Sequence, residues 1–193
     1  METEKKYKLT DEFITLGDKK LYRIEALKDF SNVEKGDKGG FVESEENLSQ
    51  NGNCWVYQNA MVFENAEVFE NAMVFENAEV FGNASIYGNA KVYENAEVRG
   101  DAMVCENAKV FGDANIYGDA YIASNSDYIV FKNWWSSGRY FTWTRNNNMW
   151  KVGCFYGRGE ELIAKAYRDS DLSGKEYERI VKYVESMLKD SNQ

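Results

Sequence analysis

A chain of 193 residues, 44% of them hydrophobic, is long and apolar enough to fold around a core, which excludes wholesale disorder. Histidine is absent, removing the commonest general base and metal ligand, and the three cysteines (Cys54, Cys105, Cys154) are too scattered for a disulfide framework or a metal-binding pair, so neither metal nor cofactor is expected. The net charge of −9 is uneven: twelve acids face nine bases over residues 1–55, eleven face three over 56–121, and nine face eleven over 122–193.

The opening METEKKYKLTDEF is charged where a secretory leader needs an apolar run, and no stretch is long enough for a membrane span, so a cytoplasmic location without membrane contact is expected. Residues 7–27 hold two alternating apolar runs joined by Gly17-Asp18, a hairpin signal, and residues 1–50 are expected to form an N-terminal β cap. Gly52-Asn53-Cys54 is already in phase with the pattern that follows, which gives Cys54 a small inward position.

From Val56 to Tyr121, eleven six-residue words follow without insertion: Val or Ile, an aromatic, Glu or Gly, Asn or Asp, Ala, and a variable residue. Alternation puts Ala and Val on one face of a short strand, and the aromatic with the variable residue on the other. The Glu/Gly-Asn/Asp pair supplies a bend, since Gly and Asn tolerate the left-handed backbone region. One such strand cannot bury its face alone, so the words must wind into a coil that stacks Val on Val and Ala on Ala.

Words such as IYGNAKVYENAEV closely resemble the hexapeptide-repeat family, which implies a left-handed parallel β-helix with three words per turn. Residues 51–124 are assigned to it, and the fold class is mainly β. Residues eighteen apart then stack outward in ladders: Tyr57, Phe75, Tyr93 and Phe111; Phe63, Phe81, Arg99 and Tyr117; Phe69, Tyr87 and Cys105. So much outward apolar area predicts a homo-oligomer, such as a trimer, with the Tyr57, Phe75, Tyr93, Phe111 row in the contact. The family's best-known enzymes transfer acyl groups with a histidine base; without one, and with no loop interrupting the repeats, no catalytic residue is assigned. The segment GDKGGFVESEENLSQNGNCWVY and the words after it also resemble bacterial and prophage repeat proteins labelled transferase or polymer-forming, a likeness that carries fold and not chemistry.

After Ile122 the word dissolves, and residues 125–193 are expected to form a small α+β module. Three strands are predicted, Tyr128 to Lys132, Arg139 to Thr144 and Met149 to Phe155, then a helix after Gly157-Arg158-Gly159 and a second opening on Ser173 and Glu176 with the stripe Tyr177, Ile180, Val181, Val184, Leu188. The Gly-Arg-Gly turn reads as a helix start capped by its own glutamates rather than an anion site. Residues Tyr128 to Arg168 hold seven bases, two acids and four of the five tryptophans. On the middle strand Arg139, Phe141, Trp143 and Arg145 share one face, with Trp134, Trp135, Ser136 and Ser137 in the turn before it. Rings stack and guanidinium groups grip phosphate, so the cluster fits an anionic ring-bearing ligand, a nucleotide among them. A second reading makes the same rings the core of the module, and the two stay open.

Two functions follow from these residues, with a third behind them: a non-catalytic binding protein, a structural scaffold, and an acyltransferase lacking its histidine. The prophage resemblance suggests that the binding protein sequesters or blocks a component of host defence, so a host defence protein is a further partner. Long duplex DNA is an unsuitable partner, because the overall charge opposes phosphate.

Overall fold

The computed structural model describes residues 4–190. A hairpin of β1 (Tyr7–Leu16) and β2 (Lys19–Ala26) turns at Gly17-Asp18 as expected, and β2 pairs antiparallel with β3 (Lys38–Val42). Strand β3 then runs parallel to the first strand of its solenoid face, Phe41 beside Met61 and Val42 beside Val62. Leu48 bridges Val68 on another face. Coiling thus begins inside the expected cap, about ten residues before residue 51, because Phe41, Val42 and Leu48 supply inward apolar side chains without the Asn-Ala of the repeated word.

Twelve two-residue strands follow, from Trp55–Val56 to Tyr121–Ile122. Each but the last three pairs in parallel with the strand eighteen residues on, as Val74 with Val92 and Val92 with Val110, so the chain winds into a parallel β-solenoid. Inward Ala and Val/Ile residues from Ala60 to Ile122 are buried throughout. A fully buried Val contributes about 1.5 kcal/mol or more, and the repetition of that term on every face fixes the phase of the word. At the corners, side-chain amides make ladders: Asn53 Nδ2 donates to Asn71 Oδ1 (3.1 Å), and Asn71 Nδ2 to Asn89 Oδ1 (3.3 Å). At some corners the residue before the Asn also links coils, Glu64 and Glu70 accepting at 2.9 and 2.8 Å from the N–H groups of Gly82 and Gly88.

Both ends of the prism are closed. At the N-terminal end the buried Lys6 ammonium donates to Cys54 O (2.9 Å) and Cys54 Sγ (3.2 Å), and burial pushes its pKa down. At the other end the last coil's amides have no further coil to pair with, and side chains replace it. Asn125 Oδ1 accepts from Lys109 N (2.8 Å), Thr142 Oγ1 from Asn115 N (2.9 Å) and Asn146 Oδ1 from Tyr121 N (2.9 Å).

Thr142 belongs to a four-stranded antiparallel sheet, Tyr128–Lys132, Tyr140–Thr144, Met149–Val152 and Phe155–Gly157, backed by helices α1 (Gly159–Asp169) and α2 (Asp171–Asp190). The third expected strand is split in two by a turn at Gly153-Cys154. Helix α1 starts as expected, with Glu161 Oε2 accepting from Arg158 N at 2.8 Å. Helix α2 starts earlier than Ser173, with Ser170 Oγ accepting from Ser173 N (3.1 Å), so Ser170 and not Ser173 serves that end. No described helix is long and apolar enough to cross a membrane.

The outward rings stack as the eighteen-residue spacing requires: Phe63 on Phe81 (4.8 Å), Phe69 on Tyr87 (5.0 Å), Phe75 on Tyr93 (4.7 Å) and Tyr93 on Phe111 (5.3 Å). Tyr57 does not extend its row, because the cap covers it and its hydroxyl donates to Asn32 Oδ1 at 2.9 Å. Cys105, the third member of another row, is fully buried.

Candidate functional site

The C-terminal sheet is covered on both sides, by the last coil and by the two helices, and this decides the fate of the predicted site. Strand alternation does place Phe141 and Trp143 together, but on the helix side, where each is 1% exposed and packs with Trp150, Leu162, Tyr177 and Val181. Trp143 Nε1 donates to Asn148 Oδ1 at 2.9 Å. These two rings are core, which corrects their assignment to a ligand face: their planes are taken up by helix packing. Arg139 and Arg145 are both exposed and lie just beyond opposite ends of the strand Tyr140–Thr144.

The remaining predicted residues come together in the turn before that strand. Asn133 organises it: Oδ1 accepts from Ser136 N and Ser136 Oγ (3.0 Å each), Nδ2 donates to Tyr177 OH (3.2 Å), and the backbone N–H donates to Arg139 O (2.9 Å). Trp135 lies half-buried, edge-on to Tyr177 with centroids 4.9 Å apart, and Trp134 stands 71% exposed beside it. Trp135 Nε1 is buried without a hydrogen-bond partner among the described residues.

Between this turn, the Gly153-Cys154 turn and the helices lies a cleft of about 240 Å³. Its floor is apolar, with Val152, Phe155, Leu162 and Ala166; its rim carries Ser136, Ser137, Arg139, Lys165 and Asp169, and the buried Ser173 also lines it. Neither Arg139 nor Lys165 is in an ion pair with a described residue. Burial raises the pKa of the Tyr177 phenol, while the hydrogen bond from Asn133 and the Arg139 charge oppose the shift. The exposed thiol of Cys154 lies at the same rim. Ser136, Ser137 and Arg139 of the predicted set are thus gathered in one cleft with Trp134 and Trp135 adjacent in sequence, while Arg145 is outside it. Lys165 and Asp169 were not foreseen, since on a helix they read as an ordinary solvated face, and Ser173 was read as the start of the second helix rather than as a cleft residue.

The chemistry available is donor-rich: two cations without ion-pair partners among the described residues, and several hydroxyl groups over an apolar floor, can hold an anionic group. Among the described residues no cluster of three His, Cys, Asp or Glu side chains could bind a metal ion.

No protein-family profile matches the chain. Over 66 residues it is 41% identical to an Escherichia coli (strain K12) protein described as the uncharacterized acetyltransferase YdcK, a match covering 30% of this chain and 20% of that protein. The matched region thus spans about a fifth of that relative's length. The uninterrupted hexads, the eighteen-residue parallel register and the buried Ala and Val stacks together give this chain the fold typical of hexapeptide-repeat β-helices.

Proposed function

We propose that this is a non-catalytic binding protein that holds an anionic ligand in the cleft beneath the 133–139 turn, with the β-helix as its rigid body. One observation carries the reading: Arg139 and Lys165, both exposed and without ion-pair partners among the described residues, converge with Ser136, Ser137 and Ser173 over an apolar floor. Asp169 leaves the rim with one net positive charge, counting two cations against one acid. A volume of about 240 Å³ suits an anionic group such as a phosphate better than a complete drug-sized molecule. The exposed Trp134 adds a ring beside the turn that borders the cleft. In the phage-type setting that the resemblance implies, such a protein acts on host defence by withholding its ligand.

Calorimetry against inorganic phosphate, with salt varied, tests the site. Phosphate is expected to bind the wild type, more weakly as salt rises, and Arg139→Ala combined with Lys165→Ala is expected to abolish binding without changing the circular dichroism, since both side chains are exposed. Binding unaltered in that variant, or absent from the wild type, overturns the reading.

Acyl transfer is the second reading, favoured by the description of the E. coli relative. It requires a base other than histidine. Release of free thiol from acetyl-coenzyme A in the presence of amine and hydroxyl acceptors measures it directly, and no release above the buffer rate sinks it.

A further inference from the structure

Arg139 borders a second recess. On the other side of the Gly153-Cys154 turn, a groove of about 400 Å³ separates the solenoid from the C-terminal sheet, lined by Asn95, Glu97, Asp113 and Asn115 on one wall and by Arg139, Tyr140 and Lys151 on the other. Gly153 makes the passage between the two: it holds φ at +54°, and a Cβ there would stand 2.7 Å from Arg139 Nη1. A glycine at this left-handed turn leaves room for the guanidinium to lie against it, and Arg139 lines both recesses.

We propose that the two recesses are one extended site for a nucleoside monophosphate, with the phosphate over Arg139 and Lys165 and the nucleoside in the groove between solenoid and sheet. The proposal rests on the anion reading above and adds the class of molecule attached to the anion.

The two halves differ in net charge. The first recess sets Arg139 and Lys165 against Asp169, whereas the second balances Arg139 and Lys151 with the carboxylates of Glu97 and Asp113 and adds the amides of Asn95 and Asn115. Carboxylates and amide carbonyls accept hydrogen bonds from sugar hydroxyls and exocyclic amines, and carboxylates repel a second phosphate. Some of that capacity is already used: Asn115 Nδ2 donates to Glu97 Oε2 (2.7 Å), and Asn95 Nδ2 to Asp113 Oδ1 (3.4 Å). Asn115 Oδ1, however, is buried and accepts from no described residue. Lys151 is already engaged, its ammonium donating to Gly153 O (2.6 Å) and lying 4.9 Å from the Tyr117 ring, with burial lowering its pKa. Tyr140, 42% exposed, supplies an aromatic face on the sheet wall. It lies on the opposite side of the strand from Phe141, with the Lys132 ammonium 5.4 Å from its ring centroid, so the exposed ring beside Arg139 is the neighbour of those assigned from sequence. One phosphate at one end and a hydroxylated ring system at the other match this difference, and a polyanionic strand does not.

Calorimetry with inorganic phosphate, ribose 5-phosphate, the four common ribonucleoside monophosphates and adenosine separates the two ideas. At least one monophosphate is expected to bind about tenfold or more tightly than inorganic phosphate. Tyr140→Ala and Asp113→Asn, both at exposed positions, are each expected to remove most of that advantage while leaving phosphate binding as it was. Phosphate binding with no gain from any nucleoside overturns the extended site and leaves the anion cleft standing. An advantage that survives both substitutions also overturns it. If neither phosphate nor any nucleotide binds, the anion cleft fails and the extended site fails with it.

Discussion

Glu97 lies directly over Glu79, its register partner one coil away on the same face of the solenoid. The pKa of Glu79 is raised, first by burial and then by the Glu97 charge, with Arg99 opposing the shift. A carboxyl whose folded-state pKa exceeds its unfolded value contributes stability below the unfolded pKa and loses it as pH rises through the folded one. Glu79→Gln is therefore expected to raise the unfolding midpoint at pH 7 and to lose that advantage towards pH 4, where Glu79 takes up its proton in both states. Urea melts at the two pH values check it, and equal midpoint differences at both would refute the assignment.

The corners make a second case. Glu64, Glu70, Glu76, Glu94 and Glu106 hold φ between 54° and 61°, a left-handed conformation that disfavours residues with a side chain, while other words place Gly there. The Glu94 carboxylate accepts no hydrogen bond from a described residue to offset this cost, whereas those of Glu64 and Glu70 each accept one. Glu94→Gly is expected to stabilise by about 1 kcal/mol. The reverse change at Gly100, where φ is +78° and a Cβ would meet Gly118 N at 2.9 Å, is expected to destabilise by about 2 kcal/mol or more. Chemical denaturation measures both, and two changes of the same sign would contradict the account.

Inside the repeat, strict period and alternation made nearly every buried residue legible from the sequence, because Ala and Val can only point one way in a word this short. Phe41, Val42 and Leu48 escaped because they coil without the word that advertises coiling. In the C-terminal module, alternation sorted Phe141 and Trp143 correctly onto one face. It could not say that helices would cover that face and the last coil the other; such information lies in tertiary contacts, not in period. The turn residues Ser136, Ser137 and Arg139 were readable as polar groups next to aromatic ones. Their partners Lys165 and Asp169 read as an ordinary solvated helix face, and Ser173 as a helix start.

The outward rings bear on assembly. Phe75 and Tyr93 are half-exposed and Phe111 is 42% exposed, on a row from which Tyr57 has been removed by the cap. Phe111→Lys is expected to weaken self-association through this row, read by light scattering as a fall in mass towards the 22.2 kDa of one chain. A wild type that stays at that mass at every concentration would leave the row as intrachain stacking alone.

The three cysteines provide a probe of the cleft that works whatever the identity of the ligand. Cys54 is buried against Lys6, and burial raises its pKa; Cys105 is buried in the wall of the solenoid; Cys154 is exposed at the rim that carries Arg139 and Lys165. Access to thiolate sets the rate of thiol labelling, so a disulfide reagent is expected to modify one thiol quickly in the folded protein and all three once it is unfolded. A group held between Arg139 and Lys165 would shield the Cys154 sulfur at that rim. Saturating phosphate should therefore slow the fast labelling phase, and the Arg139→Ala, Lys165→Ala variant should label at a rate that phosphate no longer changes. Rapid modification of Cys54 or Cys105 in the folded state would contradict the closed prism. A Cys154 rate indifferent to phosphate in the wild type would place any bound anion away from this rim.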